Sequence, residues 1–412
     1  MILTINRDRL LSEVEALASL SEAEAPAVTR VVFTPVDLQA RAWIGALCKE
    51  AGLTLRHDAV GNTFARWQGQ DPAAPAVATG SHIDAIPNAG KYDGVVGVLG
   101  GLEAIRALQQ CGFRPKHSIE LIIFTAEEPT RFGIGCLGSR LLSGTLSSHV
   151  AKNLKDKEGL TLDQVRHHAG FRSELERVTL PVGCYKAFIE LHIEQGPLLE
   201  QQEIPLGVVT NIAAPASLRI AVEGSGGHAG GVLMPKRHDA LCAAAEVILQ
   251  VEGAARSSGA IDTVSTVGIC EVFPGAVNSI PSRVNLSVDI RDTDLSRRDT
   301  AIRTVEESCR SISSRRQVSI AIDLQNADAP AECAPAVIEA LSQSCRKHQL
   351  KFLPMVSRAY HDSLFMARIA PTAMLFIPCR HGYSHRPDEY AAPDDIARGT
   401  LVLAETLACL AS

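Results

Sequence analysis

His82 and Asp84 stand two residues apart in the stretch Thr79-Gly-Ser-His-Ile-Asp, and Asp93-Gly follows a short way downstream. An extended backbone turns positions i and i+2 to the same side. A metal-bound imidazole needs its second nitrogen held to fix tautomer and basicity. His82 is therefore a candidate ligand, Asp84 the carboxylate that orients it from outside the coordination shell, and Asp93 a candidate oxygen ligand. Glu127 and Glu128 directly follow the buried-looking run Ser118-Ile-Glu-Leu-Ile-Ile-Phe. Adjacent carboxylates repel unless a cation or a shared proton relieves them, so one can bind metal and the other act as base.

His192 comes at the end of an apolar run, in Phe188-Ile-Glu-Leu-His-Ile-Glu-Gln-Gly-Pro, and His385 lies in the polar loop Arg380-His-Gly-Tyr-Ser-His-Arg-Pro-Asp-Glu-Tyr. With His82, Asp93 and Glu128 they make five nitrogen and oxygen ligands. That is enough for two divalent ions sharing one carboxylate, and the donor set suits Zn²⁺ or Mn²⁺. His381 shares the last loop without an assigned role, and Cys379 beside it reads as a packed thiol rather than a nucleophile.

These residues need a scaffold that delivers them from strand ends. Periodic Leu, Val and Ala predict helix over much of 5–55, as a cover for a sheet. Strands are expected at Thr54-Leu-Arg-His, Thr63-Phe-Ala-Arg-Trp, Ala76-Val-Ala-Thr (ending at Gly80) and Ser118 to Phe124, with a helix over 95–110, which is the α/β pattern. From about Ser217 the order changes to β-α-β-β-α-β, with helices expected over 236–251 and 295–314, as in the ferredoxin-like unit. Residues 213–327 thus read as an inserted α+β domain within a discontinuous catalytic domain of 1–212 and 328–412. The α/β pattern then resumes, with a helix over 335–348, strands at Phe352-Leu-Pro-Met-Val and Ala373-Met-Leu-Phe-Ile-Pro, and a final helix from 394.

The composition, 46% hydrophobic and 21% charged over 412 residues, is that of a globular chain, and the net charge of −6 argues against nucleic acid or an anionic membrane as partner. Eleven cysteines without a Cys-x-x-Cys pair suit reduced thiols. The Met1-Ile-Leu-Thr start has no basic region followed by an apolar core, so a cytoplasmic location is expected.

Gly80-Ser-His-Ile-Asp with Asp93-Gly, Glu127-Glu128, His192-Ile-Glu-Gln-Gly-Pro, Gly227-His-Ala-Gly and Ser384-His385 together resemble the M20 metallopeptidase superfamily over nearly the whole chain. The Gln-Gly-Pro motif is similar to its amidohydrolase branch acting on ureido acids. Gly226-Gly-His-Ala-Gly-Gly-Val-Leu-Met-Pro and Ser357-Arg-Ala-Tyr-His-Asp are similar to the ureidoglycolate amidohydrolases of that branch. The resemblance implies a mixed-sheet catalytic domain of the zinc-peptidase type with an inserted lid and dimerisation domain. It implies two Mn²⁺ or Zn²⁺ ions, His82 and His192 on one, Glu128 and His385 on the other, and Asp93 bridging. Glu127 becomes the general base, and His228, from the second subunit of a homodimer, the oxyanion donor. Gln195, Asn278, Arg291, Tyr360 and His361 become substrate contacts. The implied reaction is hydrolysis of a small ureido acid, (S)-ureidoglycolate first, to glyoxylate, ammonia and CO₂, a step of purine catabolism. N-carbamoyl-L-amino acids and allantoate are the alternative substrates.

Overall fold

Four strands whose side chains are almost all buried form the centre of the first sheet, and burial on both faces explains why their sequences are nearly continuous apolar runs. In spatial order they are Thr372–Ile377, Tyr185–Ile193, Ala76–His82 and Ile119–Phe124, all parallel. Antiparallel strands flank them, Gly207–Ile212 on one side, Thr63–Trp67 and Thr54–His57 on the other, so the sheet is mixed. The computed structural model describes residues 3–412; the first two residues of the expected catalytic domain lie outside them.

Helices Val95–Gln110 and Pro393–Ala411 pack on each other and on the central strands. Residues 95–108 of the first are buried throughout, as an apolar helix pressed on a sheet must be. The carboxyl ends of the central strands deliver His82, the Glu127-Glu128 turn, His192 and the loop carrying His385. That is where open parallel sheets place their sites.

The N-terminal region departs from the helical expectation. Helices Arg7–Ser19, capped by Asn6, and Pro35–Glu50, capped by Thr34, are separated by the strand Val28–Arg30, which pairs antiparallel with Ala85–Ala89. Pro26 cannot sit inside a helix, and Pro35 is tolerated only in a first turn, so it starts the second helix. Arg30, 1% exposed, donates to the carbonyl oxygens of Leu20 (2.9 Å), Ile83 (2.7 Å) and Leu17 (2.5 Å). It thus ties the first helix to the residue next to His82. Arg30→Met strips these carbonyls of their donor at a cost of about 1–3 kcal/mol for each that stays buried and unpaired. A lowered urea midpoint is the expected result; an unchanged midpoint would show that the three bonds carry no net stability.

The chain divides into two compact units. One runs to Thr210 and includes Glu332–Ser357 and His361–Ser412; the other is Asn211–Ala331 with Arg358–Tyr360. Tyr360 therefore groups with the second unit and His361 with the first. In the second unit the sheet order is Val264–Phe273, Arg283–Asp292, Ala214–Glu223, Ser319–Ala327, all antiparallel. Helices Ala240–Arg256 and Leu295–Arg316 bury one face of it. After the exposed Arg283, the strand Arg283–Asp292 alternates between buried and half-buried residues, the signature of a sheet with one covered face. The first helix begins at Ala240 rather than near Lys236, because Asp239 caps it by accepting the N–H groups of Leu241 and Cys242. Among the described residues no helix is long and apolar enough to cross a membrane.

Candidate metal centre

The strand carrying His82 continues two residues past Gly80, because His82 is still in register with Phe124 of the neighbouring strand. His82 is thus a strand residue, 1% exposed, and its Nδ1 lies 3.0 Å from the carbonyl oxygen of Asp84. An Nδ1–H donated there leaves Nε2 with its lone pair free. The Asp84 carboxylate, expected to orient the ring, stands 3.7 Å from Nδ1 and instead accepts the N–H groups of Glu127 (3.3 Å) and Glu128 (3.1 Å). Its backbone orients the histidine while its side chain ties down the glutamate turn. Burial pushes that carboxyl up to about 6.

Asp93 sits at the centre. Oδ1 is 3.4 Å from His82 Nε2 and 3.2 Å from His192 Nε2, whereas Oδ2 is 3.4 Å from His385 Nε2. His385 Nε2 in turn lies 3.2 Å from Glu128 Oε1. His82, Asp93 and His192 form one group and Asp93, Glu128 and His385 another, each with its ligand atoms within 4.8 Å of one another. The residues fit a pair of cations. His82 Nε2 is buried and makes no hydrogen bond. At Gly94, with φ of +65°, a Cβ would come within 2.5 Å of that nitrogen. The chain is thus kept clear where an ion would meet the imidazole.

His192 Nδ1 lies 2.9 Å from the carbonyl oxygen of Ile193, the same backbone solution as at His82. Burial alone would raise the Asp93 carboxyl, but the His192, His385 and His82 rings overcome it and hold it well below the usual carboxylate range. Glu127 goes the other way: burial pushes its carboxyl well up, His82 opposes, and the carboxyls of Glu128, Asp362 and Asp93 add to the rise. Two neighbouring glutamates in different surroundings suit different tasks. Glu127 Oε2 is 3.7 Å from His82 Nε2, and its Oε1 accepts from the Cys136 thiol at 3.4 Å.

Gln195 donates through Nε2 to Asp93 Oδ2 (2.6 Å), so it touches the central carboxylate directly. His361 is 2% exposed, packs against His192 with ring centroids 4.5 Å apart and planes tilted by 59°, and lies 3.1 Å from Ser357 Oγ through Nε2. In the second unit, His228 lies on a short strand paired with Ser279–Ile280, next to Ala229, whose N–H donates to the Asn278 carbonyl. Its Nδ1 accepts from the Gly230 N–H at 3.1 Å, which puts the ring proton on Nε2. Arg291 forks onto Asp289 (2.7 and 3.2 Å) rather than onto Asp292 or Asp294, and its guanidinium is 5.8 Å from the Tyr360 ring. His381 donates its backbone N–H to Glu200 at 2.6 Å. Cys379 is a packed thiol that burial pushes up to about 12.

Sequence reasoning misses Cys136, the Glu190–Asp362 pair behind the histidines, and Glu389. Glu190 accepts from Ser81 and Ser363, and Asp362 from Ser139. Only Glu389 carries a local signal, an acid four residues past a candidate histidine ligand.

A ureidoglycolate hydrolase of Arabidopsis thaliana is 52% identical over 417 residues, spanning 99% of this chain and 87% of that protein. An N-carbamoyl-L-amino-acid amidohydrolase of Pseudomonas sp. (strain NS671) is 37% identical over 414 residues, 98% of each chain. The crystal structure of AtUAH in complex with (S)-hydroxyglycine is similar with a TM-score of 0.90 at 51% identity, covering 99% of this chain and 98% of that one. Residues 78–408 match peptidase family M20/M25/M40, and the chain belongs to that family.

Proposed function

We propose that this chain is an amidohydrolase that uses two divalent ions, Mn²⁺ or Zn²⁺, to cleave the ureido group of (S)-ureidoglycolate. N-carbamoyl-L-amino acids and allantoate are the alternative substrates within the same chemistry. The observation that carries the metal chemistry is the divided Asp93 carboxylate, whose two oxygens face different histidines. The substrate rests on the 52% identity to a ureidoglycolate hydrolase over 99% of this chain. One water adds to the ureido carbonyl and the terminal C–N bond breaks, releasing ammonia. The remaining carbamate loses CO₂ to give hydroxyglycine, which eliminates a second ammonia to leave glyoxylate.

His82, His192 and Asp93 Oδ1 would hold one ion, and Glu128, His385 and Asp93 Oδ2 the other. When bound, the ions supply Lewis acidity for the carbonyl and for water. Glu127 takes the proton of the attacking water at Oε2 and returns it to the departing nitrogen. His228 of the partner subunit donates Nε2–H to the developing oxyanion. Arg291, braced by Asp289, grips the carboxylate, while Gln195, Asn278, Tyr360 and His361 orient the rest. The chain acts in the cytoplasm as a homodimer joined through the second unit. Its edge strand Val264–Phe273 is available for such pairing and carries Ile269 at 53% exposure.

The testing experiment is a substrate panel of ureidoglycolate, allantoate and several N-carbamoyl amino acids on Mn²⁺-loaded protein, read as ammonia release. Highest kcat/KM on ureidoglycolate is expected; preference for a carbamoyl amino acid moves the assignment to that branch. In the same panel Tyr360→Gly should cost ureidoglycolate roughly 1–3 kcal/mol more in kcat/KM than substrates lacking its hydroxyl, the worth of one buried hydrogen bond. Equal losses throughout would remove Tyr360 from hydroxyl recognition. For the dimer, mixing inactive His228→Ala and Glu127→Gln subunits should restore part of the activity, because one composite site then has both residues intact. Verified subunit exchange without recovery would place His228 outside the neighbouring site.

A further inference from the structure

Glu389 has no task in the mechanism above, yet its side chain is among the most constrained near the metal centre. It is 5% exposed. Its Oε1 accepts two backbone donors, the N–H of Tyr92 at 2.8 Å and that of Asp93 at 3.1 Å. Its Oε2 lies 3.1 Å from Ser384 Oγ, and the same hydroxyl is 2.6 Å from Asp93 Oδ2. The turn is shaped to admit it: a Cβ at Gly90 would stand 2.4 Å from the Glu389 carboxyl. One carboxylate therefore fixes Asp93 at its backbone and lies beside the hydroxyl that can give its single proton to the Asp93 oxygen facing His385.

The placement of His385 gives this arrangement a purpose. His82 and His192 are strand residues, 1% and 0% exposed, held by the sheet and by their Nδ1 contacts. His385 sits on a loop, 45% exposed at its side chain and with φ of +60°. Such a residue has little of its own to hold it within coordinating distance of Asp93. Glu389, on the same loop, spans the gap to the turn 90–93, and the Tyr390 ring packs edge-on against Tyr92 (centroids 6.2 Å) just beyond it.

We infer that Glu389 is a positioning residue that keeps the half-site of Glu128, His385 and Asp93 Oδ2 in register with the half-site of His82, His192 and Asp93 Oδ1. The inference rests on the two-ion reading above. Without Glu389 the His385 loop separates from Asp93 and the ion on that side is released, while the one held by strand residues stays. A residue serving general stability would lower both occupancies together.

The test counts metal rather than turnover. Parent, Glu389→Ala, Glu389→Gln and Ser384→Ala proteins are loaded with Zn²⁺ and dialysed. Bound metal is measured by mass spectrometry, and release is followed with a chromophoric chelator. The parent should hold two ions per chain. Glu389→Ala should hold about one, with the other released roughly 10–100-fold faster than in the parent, the usual cost of removing a group that orients metal ligands. Glu389→Gln should recover two ions, since its amide oxygen can accept the same two N–H groups. Ser384→Ala, a milder change that serves if Glu389→Ala misfolds, should keep two ions but release one of them several-fold faster. Two ions released at the parent rate from Glu389→Ala, or both lost together from either alanine variant, would overturn the inference and leave the two-ion reading standing. A parent holding fewer than two ions after loading would instead overturn that reading, and the inference with it.

Discussion

Glu127→Gln is expected to lower turnover on ureidoglycolate by roughly 10²–10⁴-fold, the usual contribution of a positioned general base, with fold and bound metal unchanged. The substitution keeps the shape of the side chain and leaves Glu128 in place. An amide oxygen can still accept from the Cys136 thiol, which now reaches Oε1 at 3.4 Å. What disappears is the ability to take a proton at the oxygen 3.7 Å from His82 Nε2. In free energy the loss is about 3–5 kcal/mol of transition-state stabilisation, and it should appear in kcat with little change in KM. Near-parent ammonia release by this variant would remove Glu127 from proton transfer.

Asp93→Ala should act on the metals first. Its Oδ1 serves the His82 and His192 side and its Oδ2 the His385 side. Deleting both oxygens takes a ligand from each position and removes the negative charge that offsets repulsion between two nearby cations. Bound metal should fall from about two ions per chain toward one or none, with activity at background. Gln195 and Ser384 would lose the acceptor they share at 2.6 Å, so local disorder at the His385 loop should accompany the loss. An unchanged metal content would mean that another group bridges the ions.

The parts of the molecule readable from sequence are those in which one physical pattern acts alone. The strand Ile119–Phe124 is buried on both faces and reads as unbroken apolar sequence; Arg283–Asp292 is buried on one face and reads as alternation. Five candidate ligands are legible because strand ends in a parallel sheet converge, so residues far apart in sequence meet around Asp93. The strand Val28–Arg30 escapes because it is three residues long and its buried arginine answers backbone carbonyls, which have no sequence signature. Asp84 is legible as a partner of the site but not in its manner of acting, since residue types do not tell a carbonyl contact from a carboxylate contact. The Asp289 partner of Arg291 lies two residues away on a strand, a spacing that places both side chains on one face, so that pairing is open to inference from sequence. Glu389 is legible only as an acid four residues past His385; its targets are backbone N–H groups nearly 300 positions earlier in the chain, and those have no sequence signature.

The most direct test of the account is the rate of glyoxylate formation from (S)-ureidoglycolate by metal-stripped protein as Mn²⁺ or Zn²⁺ is added back. No turnover is expected without metal, with recovery that saturates near two ions per chain and two ammonia molecules released for each glyoxylate formed. Full turnover by the stripped protein, or none at any metal loading, would contradict it.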